Sequence, residues 1–305
     1  MKLTELPKEV AQLSQLRELD LSSNNFSSVP AEIFQLKSLE TLTLSFNPLQ
    51  KLPSEIAELK NLKHINLTQT LLEELPPEFS ELTKLQEVFA GFNKLQKLPK
   101  GFSALKQLTG LFLHFNNFSS FPAELTQYHS LRVLTIGTKI RTIPKRIGKF
   151  RNLRRLALNG NKITDIPKEI ANLPELISLE LVRNRIQKIP PEIGGMTNLL
   201  DLSVEGNNLP ASMQSAERDG TSVLLAQIRS LADPEKIGML VEAKLMITGE
   251  GKVGKSCLRM ALDGTIAGRP EAPNPTTWGV DCGTLYIPDE TASKKQIQFN
   301  YWDFG

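Results

Sequence analysis

Cysteine is nearly absent from this sequence. Its 305 residues include only Cys257 and Cys282, which cannot build a framework of disulfides, and such a chain suits a reducing, cytoplasmic setting. Long apolar runs are missing too: none approaches the roughly 18 residues that a membrane span needs. Met1-Lys2-Leu3-Thr4-Glu5-Leu6-Pro7 has no apolar stretch of the kind that drives secretion. The formal charge of +3, spread over the whole length, gives little reason to expect nucleic acid. The three histidines do not stand at metal-ligand spacing. With 23% charged and 40% hydrophobic residues the chain is neither disordered nor a membrane protein by composition.

Leucine is abundant but uneven: 40 of the 48 leucines precede residue 210. A composition step of that size marks a boundary between two unlike segments. In the first segment prolines recur at Pro7, Pro30, Pro53, Pro76, Pro99, Pro122, Pro144, Pro167 and Pro190, every 23 residues except for one step of 22 from Pro122 to Pro144. Between them runs L-P-x-E-I-x-x-L-x-x-L-x-x-L-x-L-x-x-N, as in Ile166 to Asn184. Nine copies are present over 1–209, and they resemble the leucine-rich repeat family. The expected fold of this segment is a horseshoe solenoid with a parallel sheet. Period-two alternation, as in Leu19-Asp20-Leu21, suits a short strand, and the stretch after each proline suits a short helix or extended turn on the convex side. One coil cannot bury its leucines alone, whereas stacked coils share a core. Asn24, Asn47, Asn93, Asn116, Asn161, Asn184 and Asn207 follow the strands, and their amides can satisfy turn backbone groups between coils. Thr70 takes that place in the third copy and Thr138 or Lys139 in the sixth, where the ladder should be weakest. Leu3 and Leu6-Pro7 match only the second half of a repeat, so the array is expected to be cut from a longer one or to start from a truncated gene model.

The side chains between the strand leucines are expected on the open concave face. That column is Asp20, Thr43, Asn66, Phe89, Phe112, Thr135, Ala157, Glu180 and Ser203, with Phe46, Phe92 and Phe115 just before their asparagines and His64 and His114 nearby. Exposed aromatic clusters mark partner sites, so Phe89 and Phe112, with Phe92 and Phe115, are the candidate protein-binding residues. The alternative is that the pre-asparagine rings simply stack on one another. Region 210–242 is read as a capping helix and linker, with Val223, Leu224, Ile228 and Leu231 along one face of the helix.

From Ala243 to Thr248 the sequence reads as a buried strand, and it runs into Gly249-Glu250-Gly251-Lys252-Val253-Gly254-Lys255-Ser256. This is the full G-x-x-x-x-G-K-[ST] phosphate loop, followed by a helical stretch from Ser256 to Leu262. Chance would produce the four constrained positions in about 1% of chains of this length. The glycines let backbone N–H groups close around phosphate oxygens at the start of a helix. The candidate nucleotide-contacting residues are Gly249, Gly251, Lys252, Val253, Gly254, Lys255, Ser256 and Cys257. Lys255 would neutralise β and γ oxygens and Ser256 would ligate magnesium. A protein kinase also carries a G-x-G-x-x-G string and an Asp-Phe-Gly, here Asp303-Phe304-Gly305, but no V-A-I-K strand or H-R-D loop lies between them. Asp281 to Ile287 and Lys295 to Trp302 alternate like two strands.

Thr277-Trp278-Gly279-Val280-Asp281 resembles the switch I sequence of Rab and Roc domains, and Trp302-Asp303-Phe304-Gly305 resembles the Roc version of switch II. Leucine-rich repeats followed by a Roc-type domain is the architecture of the Roco family, which includes the leucine-rich-repeat kinases. The chain resembles that family over nearly its whole length. The resemblance implies GTP or GDP and Mg2+ as cofactors, with Ser256, Thr277 and Asp303 at the metal. It makes 243–305 the first part of a Ras-like GTP-binding unit, so the fold class is α/β throughout: a solenoid, then a partial P-loop unit. No catalytic residue is assigned. The [NT]-K-x-D base-reading motif is missing, so guanine specificity comes from the likeness alone, and this chain by itself is expected not to be a working GTPase. Two other readings remain open: a repeat-only interaction scaffold with a non-functional nucleotide motif, and part of a Roco protein kinase.

Overall fold

The computed structural model describes residues 2–128, 130–231, 243–247, 280–288 and 296–304. It comprises two compact units, Met1–Arg229 and Ser230–Gly305. The first is a nine-coil solenoid. Its strands β1 (Glu18–Asp20), β2 (Thr41–Thr43), β3 (His64–Asn66), β4 (Glu87–Phe89), β5 (Gly110–Leu113), β6 (Val133–Ile136), β7 (Arg155–Ala157), β8 (Ser178–Glu180) and β9 (Asp201–Ser203) form one sheet in chain order. All pairs are parallel, and the central residues Leu42, Ile65, Val88, Leu111, Leu134, Leu156, Leu179 and Leu202 follow one another in register beneath the face.

The convex side of each coil is a short 3-10 helix. Eight of the nine begin directly after a repeat proline, whose carbonyl accepts the N–H three residues on, as in Ile33 to Pro30 at 3.2 Å and Ile147 to Pro144 at 2.9 Å. Proline holds φ near the helical value and has no N–H to leave unpaired at the first position. The helices stay short because 3-10 geometry does not sustain long runs. The isoleucine three places after the proline (Ile33, Ile56, Ile147, Ile170, Ile193) and the strand leucines meet in a single core running from Leu21 to Ile228. Phe79 and Phe102 take the isoleucine position in the fourth and fifth coils. They stack with ring centres 6.2 Å apart.

The asparagines form a buried ladder. Asn47 Nδ2 donates to Leu21 O at 2.9 Å in the coil before and to Leu44 O at 3.0 Å in its own, while its Oδ1 accepts the N–H of Phe26 at 3.0 Å. Asn93, Asn116, Asn161, Asn184 and Asn207 repeat the arrangement. At Thr70 a hydroxyl lies 3.1 Å from Leu67 O and 2.6 Å from Asn93 Oδ1, and its single proton serves only one of them. In the sixth coil Thr138 bonds the Asn116 carbonyl, and the exposed Lys139 reaches Asn117 Oδ1 at 3.2 Å. Both gaps therefore replace the amide only in part, as expected.

Two helices close the C-terminal end of the stack, α1 (Ala211–Arg218) and α2 (Thr221–Ser230). The sequence reading anticipated only the second of these, and it chose part of the wrong face. Leu224, Leu225 and Ile228 are buried, whereas Val223 and Leu231 are about 40% exposed. Met213 and Ala216 of α1 are buried as well, so the apolar end of the stack is closed by two helices rather than one. The cap also satisfies the free sheet edge, a position that would otherwise invite another strand. Leu181 N–H donates to Ser203 O on the next strand, but its counterpart Val204 N–H donates to Glu217 Oε1 at 2.7 Å and Leu202 N–H to Thr221 Oγ1 at 3.1 Å. Arg229 completes the contact by donating to Gly194 O at 2.7 and 2.9 Å. A Cβ on Gly194 would stand 2.6 Å from the Arg229 backbone nitrogen. Gly194→Ala is therefore expected to lift α2, destabilising the chain by about 1–3 kcal/mol and speeding amide hydrogen exchange at Leu202 and Val204 before the central coils. Unchanged exchange at those two amides would contradict the capping role.

In the second unit the described strands are β10 (Ala243–Ile247), β11 (Val280–Pro288) and β12 (Gln296–Phe304). They match the buried strand and the two alternating strands anticipated from the sequence to within two residues. Their order is β10-β12-β11, with β12 parallel to β10 and antiparallel to β11. Ile247 and Asp281 are both in register with Asp303. The phosphate loop and the anticipated helix from Ser256 to Leu262 lie outside the described residues. Among the described residues no helix is long and apolar enough to cross a membrane.

Candidate functional site

The concave column anticipated from alternation runs in register across all nine strands, from Asp20 opposite Thr43 to Glu180 opposite Ser203. Near its middle, Phe89 on β4 pairs with Phe112 on β5, and their rings stack with centres 4.4 Å apart and planes 5° from parallel. Both are half-buried rather than standing free in solvent, because each ring covers a face of the other. Glycines make the arrangement possible. A Cβ on Gly110 would lie 3.1 Å from the Phe112 ring, and one on Gly91 would lie 2.7 Å from the ring of His114. A side chain at Gly91 would displace the His114 ring, and one at Gly110 would press the Phe112 ring outward.

Beside this pair is a second aromatic group. Phe92 and Phe115 stack at 4.6 Å, and His114 meets Phe92 edge-on at 5.1 Å. The His114 Nδ1 lies 3.1 Å from the Thr135 hydroxyl. Burial lowers its pKa, so the neutral ring is favoured where it packs against Phe92. It is thus part of the aromatic surface rather than an ordinary polar surface residue. His64 is separate from the cluster and sits 3.0 Å from Glu87 Oε2. The stacking alternative holds for Phe92 and Phe115. It fails for Phe46, which is separated from Phe92 by the coil carrying Gln69.

In eight of the nine coils the position before the ladder residue also has a backbone property that alternation did not reveal. Ser23, Phe46, Gln69, Phe92, Phe115 and Arg183 adopt φ between 53° and 58°, where the seventh and ninth coils use Gly160 and Gly206. A side chain there costs roughly 1–2 kcal/mol through the clash of Cβ with the carbonyl. Phe46, Phe92 and Phe115 are nonetheless held there, 49%, 46% and 56% exposed.

Charge is the feature that whole-chain averages hid. Between Glu124 and Asp165 there are ten lysines and arginines and no acid. In the seventh 3-10 helix, Lys145–Lys149, Arg146 replaces the glutamate that opens most of the others. Lys149 stands where Glu58 and Glu81 pair at 2.8 Å with Lys37 and Lys60 of the preceding coils. Scanning for acid-free windows would have found this.

Of the nucleotide-site candidates, only Asp303 falls on a described element. It is near the carboxyl end of β12, level with Ile247. Gly249, Gly251, Lys252, Val253, Gly254, Lys255, Ser256, Cys257 and Thr277 lie outside the described residues. Among those described, no group of histidine, cysteine and carboxylate side chains could hold a metal ion.

A family model described as a leucine-rich repeat region matches residues 41–143 and 124–217, more than half of the chain. The chain belongs to the leucine-rich repeat family. A second model, leucine rich repeat, matches residues 2–49. A curated Roc-COR-CHAT protease from an unknown prokaryotic organism is 33% identical over 113 residues, covering 33% of this chain and 10% of that protein. The chain thus spans a tenth of the length of this curated relative. Among solved structures, a leucine-rich-repeat protein of Leptospira interrogans is similar with 34% identity and a TM-score of 0.64, covering 72% of this chain and 62% of that one. A plant peptide hormone receptor, RGFR1 in complex with RGF2, shares 30% identity at a TM-score of 0.58, over 67% of this chain and 34% of the receptor.

Proposed function

We propose that the repeats bind a protein partner on their concave face and that the chain is part of a cytoplasmic Roco-type signalling GTPase. The observation that carries the first half is the Phe89–Phe112 stack. A rigid apolar pair is held half-open at the centre of a face whose flanking column positions are Asn66 and Thr135. Aromatic anchors of this kind dominate binding energy at interfaces. The similar plant peptide hormone receptor, solved in complex with RGF2, supports peptide or protein recognition by a fold of this kind. Changing Phe89 and Phe112 together to Ser is expected to abolish partner capture from lysate by the purified chain while the circular dichroism stays the same. Undiminished capture would eliminate the site, and loss of binding only with loss of fold would reduce the rings to packing.

The second half rests on the G-x-x-x-x-G-K-[ST] loop. It draws support from the β10-β12-β11 order and from the curated relative named for its Roc-COR region. In open α/β sheets ligands bind outside the carboxyl ends of parallel strands. Asp303 stands level with Ile247, two residues before the loop begins at Gly249. In this reading Lys255 holds the β and γ oxygens of GTP, and Ser256, Thr277 and Asp303 hold Mg2+ directly or through water. The metal's contribution would be to neutralise phosphate charge.

A further inference from the structure

The edge of the solenoid where the strands end changes character along its length. In the fourth and fifth coils it carries the stacked, exposed Phe92 and Phe115. Asn117 follows two residues after Phe115, and its side chain holds the Lys139 amine of the sixth coil at 3.2 Å. The same position in the next two coils is Lys162 and Arg185, shown by the repeating bonds from Lys162 N–H to Ile140 O and from Arg185 N–H to Ile163 O, both 2.8 Å. Lys139, Lys162 and Arg185 enter none of the ion pairs formed among the described residues. Elsewhere the chain does pair its cations across coils, as Lys94 of the same column faces Glu73 at 3.9 Å. Three like charges on successive coils, about 4.8 Å apart, repel one another unless an anionic group lies across them.

We infer that this edge binds a linear acidic segment of a protein. Its apolar residues would lie on Phe92 and Phe115, and its carboxylates along Lys139, Lys162 and Arg185. This rests on the reading that the repeats bind a protein partner, and it adds that partner's chemistry. From Phe92 to Arg185 there are four coil steps, about 19 Å, which an extended peptide crosses in about six residues at roughly 3.3 Å each. One feature favours a peptide over a nucleic acid or an anionic membrane: the cationic row, two residues further along each coil than the phenylalanines, takes over in the coils that follow the Phe92–Phe115 pair.

Selection of a displayed library of random peptides of about twelve residues on the purified chain tests this. Enriched sequences are expected to combine an aromatic or leucine pair with two or more Asp or Glu within the next about six positions. On the triple variant Lys139→Glu, Lys162→Glu, Arg185→Glu the enrichment is expected to switch from acidic to basic residues. A peptide selected on the original chain should bind that variant about tenfold more weakly, a loss that shrinks with added salt. These three side chains lie outside the core, and unchanged circular dichroism of the variant establishes that it folds. Equal acid content on both forms, or no enrichment at all, would overturn the proposal. So would binding of a single-stranded oligonucleotide or a phosphatidylserine vesicle as tight as that of the selected peptide. The Phe89→Ser, Phe112→Ser chain separates the two readings. If it keeps partner capture, the concave anchor fails; if it still selects acidic peptides, the edge stands whatever becomes of the concave anchor; if the charge variant is without effect, the edge fails.

Discussion

Asn161→Leu and Asn184→Leu are each expected to destabilise the chain severely, by about 3 kcal/mol or more. Asn161 is 6% exposed; its Nδ2 donates to Ile136 O at 3.1 Å and Leu158 O at 2.9 Å, and its Oδ1 accepts the Ile140 N–H at 3.0 Å. Leucine has similar bulk but supplies none of these, and each buried group left unpaired costs about 1–3 kcal/mol. The loss falls between coils, so it weakens the neighbour contacts on which a solenoid depends. Urea denaturation should show an earlier midpoint and a broader transition. Thr70→Leu, where a hydroxyl already replaces the amide incompletely, should cost less. A melting curve of Asn161→Leu that overlays the unmodified one would refute the ladder.

The other large effect concerns the nucleotide. On the proposed Roco reading, Lys255→Ala in a protein that also carries the base-reading motif is expected to remove GTP binding altogether, because the phosphate loop loses its point cation. Asp303→Ala should weaken affinity more in the presence of magnesium than in its absence. Titration with fluorescent GTP and ATP measures both. Preference for ATP would refute the Roc assignment, and absence of nucleotide binding by the unmodified protein would favour the interaction-scaffold reading. The 305-residue chain lacks the base-reading motif, so on its own it should bind guanine nucleotides weakly and with little selectivity.

Much of the solenoid was legible because its signals are periodic and local. A proline every 23 residues, alternating leucines and recurrent asparagines each meet the same neighbours in every coil, so one solved coil explains the rest. The aromatic column was legible for the same reason: equal offsets from the leucines put Phe89 and Phe112 side by side. How exposed they are was not legible. Their half-burial depends on one ring covering the other and on Gly110 leaving room for Phe112, which are relations that alternation does not show. The capping helix α2 was legible, but α1 and the exact buried face were not, because neither is periodic. Leu225 rather than Val223 is buried where α2 lies against the ninth coil, which Arg229 joins at Gly194 O, and no property of the helix alone selects it.

By itself, then, the sequence determined the number of coils, the parallel order of their strands, the identity of the ladder residues and the presence of a phosphate-loop motif. Each follows from a repeat or from contiguous residues with a fixed mechanical task. Only the tertiary structure decided which rings touch, which backbone positions are left-handed, how the last strand's N–H groups are satisfied and where unpaired cations line up. Those depend on distances between coils, and residues about 23 apart in the chain come within hydrogen-bonding reach only once the coils have stacked.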